Sequence, residues 1–154
     1  MEVSQRKLTM NAYIRGLSLM ILASLGLIVA PSDVQSASIP VLFKAPDFTL
    51  TDHRGSTFDA KTRFSGKVSV VDFIYTSCTK ECPLMTQKKR SLDKATGLLQ
   101  NLQFISMTTD PKRDSSAKLL EYARKYKLEN DERWLFLTGS KKDITQIGQA
   151  GFKL

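Results

Sequence analysis

Residues 68–83 (VSVVDFIYTSCTKECP) constrain the fold more than any other stretch of the chain. Residues 68–75 are rich in β-branched and aromatic side chains and almost continuously apolar, which predicts a strand covered on both faces, as in a parallel sheet. Pro83 suits the first turn of a helix. Between strand and helix stand Cys78 and Cys82, the only two cysteines among 154 residues. A buried strand running into a helix, with both thiols at the junction, calls for an α/β architecture with a chemical site at the strand end.

The rest of the chain supplies the matching elements. Phe48-Thr49-Leu50 and Ser56-Thr57-Phe58 flank a turn ending in Gly55, which predicts a small hairpin with a positive φ at the glycine. Beyond Pro83, Met85, Leu92, Ala95 and Leu99 recur at helical spacing and mark an inward apolar stripe. Lys88, Lys89 and Arg90 lie off that stripe, on a face expected to be solvated. Gly97 weakens helix propensity near its end. Residues 102–108 (LQFISMT) form a second strand, closed at Asp110-Pro111 because the residue before proline avoids the helical region. Asp114 or Ser115 caps a helix whose inner face is Leu119, Leu120, Ala123 and Tyr126. Residues 134–137 form a third strand and residues 143–149 a short helix. Strands alternating with helices imply parallel pairing.

The first 37 residues read differently. A basic start is followed by an uncharged run, residues 16–30 (GLSLMILASLGLIVA), and then by small and polar residues. That is the order of a secretory signal. The same segment reads as an uncleaved membrane anchor, although 15 residues is short for a span. In both cases the basic residues precede the run, so the N-terminus stays inside and residues 38–154 are exported as one domain. The net charge of +8 favours anionic surfaces or acidic partners. Export excludes nucleic acid as a partner.

Export also places the cysteines in an oxidising compartment, and several roles are open to them. A thiol at a helix N-terminus meets free N–H groups and the positive end of the helix, which favour the thiolate. On one helical turn, positions i and i+4 share a face, so two sulfurs could converge on Cu(I), which soft ligands select. The same pair could be a thiol–disulfide redox couple, a structural disulfide or a site with a single peroxidase-type nucleophile. A structural zinc site wants four ligands, and the chain has two cysteines and one histidine. That histidine, His53, falls in a predicted turn and is expected at the surface. Asp72 is either a strand-edge carboxylate with a local partner or a buried acid near the cysteines.

Together these residues resemble the Sco/SenC family, thioredoxin-fold copper proteins that help assemble the CuA centre of cytochrome c oxidase. The resemblance rests on residues 48–52 with Gly55, on residues 71–83, on residues 109–114 (TDPKRD), on residues 119–123, and on residues 134–139 (WLFLTG). It implies a thioredoxin-like fold, copper as the bound metal, and Cys78 and Cys82 as its thiolate ligands. It implies an N-terminal membrane anchor facing the periplasm or an equivalent intermembrane space. The partners it implies are the copper-bearing oxidase subunit or another copper carrier. The family's third ligand is a histidine far downstream, and His53 does not match it. No counterpart of that histidine or of the family's final strands occurs before Leu154. The resemblance therefore implies a domain incomplete at its C-terminus, with the 68–75 strand lacking a neighbour on one side. Two alternatives follow, a thiol–disulfide oxidoreductase of the exported compartment and an inactive fragment without the third ligand.

Overall fold

A computed structural model describes residues 40–97 and 99–153. The apolar run at residues 16–30 lies outside the described residues. Among those described, no helix is long and apolar enough to cross a membrane.

The chain begins with a hairpin, β1 (Thr49–Asp52) and β2 (Thr57–Asp59), paired antiparallel with Leu50 opposite Phe58. Its turn needs the positive φ expected of Gly55, which is +83°. The Asp52 carboxylate holds the turn by accepting the Arg54 and Ser56 amides at 2.9 and 2.8 Å. A one-turn helix not anticipated from sequence, α1 (Ala60–Arg63), follows, capped by Asp59. Then come β3 (Val68–Ile74), α2 (Glu81–Ala95), β4 (Leu102–Thr108), α3 (Ser116–Lys125), β5 (Trp134–Thr138) and α4 (Lys141–Gln146), which runs into a wider π-helical turn at Ile147–Gly151.

Among the described residues the strands form one sheet in the order β2-β1-β5-β4-β3. Strands β3, β4 and β5 are parallel, with Val71 opposite Ile105 and Ile105 opposite Leu135. The hairpin joins β5 antiparallel. The expected alternation of parallel strands and helices is therefore present, and β3 is the edge strand on one side.

Side-chain alternation along the strands divides the interior in two. On one face Phe104, Trp134 and Phe136 meet Leu119, Tyr122, Ala123 and Tyr126, together with both cysteines. On the other, Ile105, Met107, Leu135 and Leu137 meet Leu50, Phe58, Ile144 and Ile147. Strand β4 is buried along its whole length, as a central parallel strand requires.

Three expectations need correction. Helix α2 does not turn the stripe of Met85, Leu92, Ala95 and Leu99 inward: Leu84 and Leu92 are 52% and 42% exposed, and Ala95 and Leu99 are also exposed. Its buried residues are Cys82, Thr86 and Lys89. Lys89 is thus not on a solvated face. The reason is a partner on β3: its ammonium donates to Asp72 and to Ser106 Oγ, each at 2.6 Å. Asp72 accordingly lies on an edge strand with its carboxylate turned inward.

His53 is buried, not at the surface. Its Nδ1 accepts the Phe136 amide at 3.4 Å, and its ring meets the Phe136 ring edge-on. Burial lowers its pKa, since desolvation disfavours the charged imidazolium. Of the two expected caps of α3, the one used is Ser115, whose side chain accepts the Lys118 amide at 3.4 Å. Asp114 has another role, described below.

Candidate functional site

The parallel strands β3, β4 and β5 end on one side of the sheet, the usual place for a site in an α/β fold. There the chain leaves β3, turns through residues 75–80 and enters α2. The turn is closed by the Cys78 amide, which donates to the Tyr75 carbonyl at 3.1 Å. Cys78 and Cys82 are both free thiols, and both are buried, 7% and 4% exposed.

Their placement follows from the needs of a helix start. The first amides of a helix lack intrahelical acceptors. Lys80, the residue flanking α2, offers no capping side chain. The sulfur of Cys78 takes that place, accepting the Cys82 amide at 3.3 Å. One cysteine is therefore hydrogen-bonded to the backbone of the other across a single turn. The Cys78 thiol also reaches Glu81 Oε2 at 3.6 Å.

The two thiols differ in acidity for physical reasons. The Cys82 amide, followed by the Lys80 amide, stabilises negative charge on Cys78 and brings its pKa down from 9.0 to about 7. Cys82 sits deeper, on the inner face of α2, and burial pushes its pKa up to about 11. Cys78 is therefore the more acidic of the two thiols and Cys82 the less acidic.

Behind the cysteines the inner face of α2 continues as a polar ladder. Thr86 shares a 2.9 Å hydrogen bond with the Tyr122 hydroxyl, and Lys89 is bound as described. Asp93 pairs with Arg133 at 2.6 Å and accepts the Trp134 indole N–H at 3.1 Å. The ladder anchors α2 to β3, β4, α3 and β5 and so fixes its N-terminal turn. Sequence reasoning missed Thr86 and Asp93. The spacing of 4, 3 and 4 from Cys82 through Thr86 and Lys89 to Asp93 is a visible signal, but polar residues at helical spacing ordinarily mark the outer face.

As donors for a metal, the two sulfurs suit a soft monovalent ion of low coordination number. Among the described residues, no group of three or more His, Cys, Asp and Glu side chains is arranged to hold a metal. His53 is engaged with Phe136 and is not brought to the cysteines.

The fold and site define a thioredoxin-like α/β protein with a Cys-x-x-x-Cys pair at the start of a helix. The family model described as SCO1/SenC matches residues 39–154, and the chain belongs to that family. The SCO1 protein homolog of Bacillus subtilis is 31% identical over 121 residues, covering 77% of this chain and 62% of the relative. Among solved structures, BsSco, described as a member of the Sco family of cytochrome c oxidase assembly proteins with a disulfide switch, superposes with a TM-score of 0.68. It is 30% identical, and the match covers 78% of this chain and 70% of that one. Yeast Sco1 with copper bound superposes with a TM-score of 0.58 at 28% identity, covering 70% and 59%. The chain thus spans less than two thirds of the length of the Bacillus subtilis relative.

Proposed function

We propose that this chain is a copper-binding protein of cytochrome c oxidase assembly that carries Cu(I) between Cys78 and Cys82. The observation that carries the reading is the pair itself: two free, buried thiols at the start of one helix, one of them with a lowered pKa. The copper-bound yeast relative and the assembly role of BsSco support the choice of metal and process. Copper here is cargo. The more acidic Cys78 supplies one thiolate, Cys82 gives up a proton on binding, and the surrounding core excludes water from both sulfurs. The metal would pass to the copper-bearing oxidase subunit or to another carrier. Residues 16–30 would hold the domain at the membrane, facing the periplasm or an intermembrane space.

The test is a titration of the reduced protein with Cu(I) against a competing chelator. One equivalent should bind, and none with Cys78→Ser and Cys82→Ser combined. Stoichiometric binding by that double variant would overturn the reading.

A second reading is a thiol–disulfide oxidoreductase acting on a partner's cysteines. The difference in acidity between the two thiols favours it, because attack starts from the thiolate of Cys78 while Cys82 waits as the resolving group. The midpoint against a glutathione buffer separates the two roles. A potential below about −300 mV would mark a structural disulfide and remove this reading.

A further inference from the structure

The second aspartate of the Asp-Pro-x-x-Asp stretch is 1% exposed and lies under the cysteine turn. One oxygen of Asp114 accepts the Thr76 amide at 3.0 Å and the Thr108 hydroxyl at 2.6 Å, and the other accepts the Thr76 hydroxyl at 2.5 Å. Its backbone carbonyl accepts the Thr138 hydroxyl at 2.8 Å. A single residue therefore binds the ends of all three parallel strands: Thr76 follows β3, Thr108 closes β4 and Thr138 closes β5. Asp110, the first aspartate of the stretch, instead pairs at 2.5 Å with the exposed Arg113.

We infer that Asp114 is a positioning residue for the cysteine pair, acting through Thr76; this rests on the reading that Cys78 and Cys82 work together as a site. Thr76 is gripped at both its amide and its hydroxyl, two residues before Cys78. The Cys78 sulfur is held in turn by the Cys82 amide. The short stretch between these two points leaves the sulfur little freedom, so its distance to Cys82 is set before any metal arrives. Preorganisation of this kind raises affinity by removing the cost of ordering the ligands on binding.

The choice of aspartate fits the role. Holding three strand ends together needs only well-packed apolar groups, and a desolvated carboxylate is a costly way to do it. Gripping an amide and a hydroxyl on one residue, and a second hydroxyl besides, needs an acceptor with two oxygens. Asparagine is a weaker substitute. With its oxygen on the Thr76 amide and the Thr108 hydroxyl, its NH2 faces the Thr76 hydroxyl, which must turn from donor to acceptor, and the charge-assisted bonds of the carboxylate are lost.

The experiment compares Asp114→Asn, Thr76→Val, Thr76→Ser and Thr138→Ala in the reduced full chain. Cu(I) affinity is measured by chelator competition, the equilibrium with oxidised glutathione in metal-free protein, and the melting temperature alongside. In that equilibrium Cys78 and Cys82 lose two hydrogens to form one disulfide, and one oxidised glutathione becomes two thiols. Asp114→Asn and Thr76→Val should weaken Cu(I) binding at least tenfold and lower the disulfide-forming constant at least threefold. Thr76→Ser keeps the hydroxyl and should stay within twofold of the parent in both. Thr138→Ala loosens Asp114 from β5 without touching Thr76, so it should lower the melting temperature and leave both constants within twofold.

The inference is overturned if Thr76→Val behaves as the parent, or if Thr138→Ala loses affinity in proportion to stability as Asp114→Asn does. Should Asp114→Asn fail to fold, Thr76→Val carries the test. Should the parent bind no Cu(I), the copper reading fails on its own, and the glutathione equilibrium still decides the role of Asp114.

Discussion

Helices α2 and α3 cover the same face of the sheet on opposite plans. Helix α3 buries Leu119, Tyr122 and Ala123 and turns Lys118, Glu121 and Arg124 outward. Helix α2 buries Cys82, Thr86 and Lys89 and leaves Leu84 and Leu92 about half exposed. Helix α3 is held by the transfer of apolar surface out of water. Helix α2 is held by a ladder of directed polar contacts, and its first turn carries Cys82 and holds the Cys78 sulfur. Polar contacts fix one position and orientation, whereas an apolar face tolerates sliding. A helix that must hold two sulfurs in register gains from the first plan.

Unpairing Lys89 should have the largest effect on α2. Both members of the Lys89–Asp72 pair are shielded from solvent, their side chains 8% and 9% exposed. Asp72→Ala leaves a buried ammonium alone and should cost about 3–5 kcal/mol by denaturant unfolding. Burial already lowers the Lys89 pKa. Removing Asp72 takes away the charge that opposes this shift, so the penalty should shrink as pH rises and the amine loses its charge. Adding Lys89→Met to Asp72→Ala should restore most of the loss, since the isolated charge is gone. If the single variant is as stable as the parent, α2 is not held by the ladder.

The helices' apolar residues give the next contrast. Leu119→Ala in α3 empties a fully buried site and should cost about 2–5 kcal/mol. Leu92→Ala in α2 should stay within about 0.5 kcal/mol, as a surface change does. Equal losses would mean that both helices follow the same plan.

The smallest effect is in the pH dependence of the thiols. Alkylation of Cys78 should rise with a midpoint near pH 7, and that of Cys82 near pH 11. The linkage to stability has opposite signs at the two sites. The lowered pKa of Cys78 adds stability above about pH 9 that is lost as pH falls through about 7. The raised pKa of Cys82 adds stability below about pH 9 that is lost as pH rises through about 11. Mass-resolved alkylation of each cysteine against pH checks both midpoints, and identical profiles would remove the asymmetry.

The contrast also explains what was legible in the sequence. Strands β3, β4 and β5, the Gly55 hairpin and α3 follow from periodicity and turn chemistry, because burial by apolar side chains leaves a repeating trace. The cysteine pair is visible because it is unique and stands at a strand-to-helix junction. Lys89, Thr86 and Asp93 are not legible, because whether a polar residue faces inward depends on a partner on another element. Asp72 lies 17 positions before Lys89 and Tyr122 lies 36 beyond Thr86, and neither spacing carries a local signal. His53 reads as a turn residue for the same reason: its burial depends on Phe136, 83 positions away. Asp114 looks like a helix cap because capping is local, while its bonds to Thr76, Thr108 and Thr138 are not.

The central claim is that Cys78 and Cys82 together form the metal site. X-ray absorption of the reduced chain loaded with one equivalent of Cu(I) tests it most directly. The expected first shell is two sulfur atoms and no imidazole. A shell dominated by nitrogen or oxygen, or an unchanged spectrum after Cys78→Ser and Cys82→Ser, would contradict it.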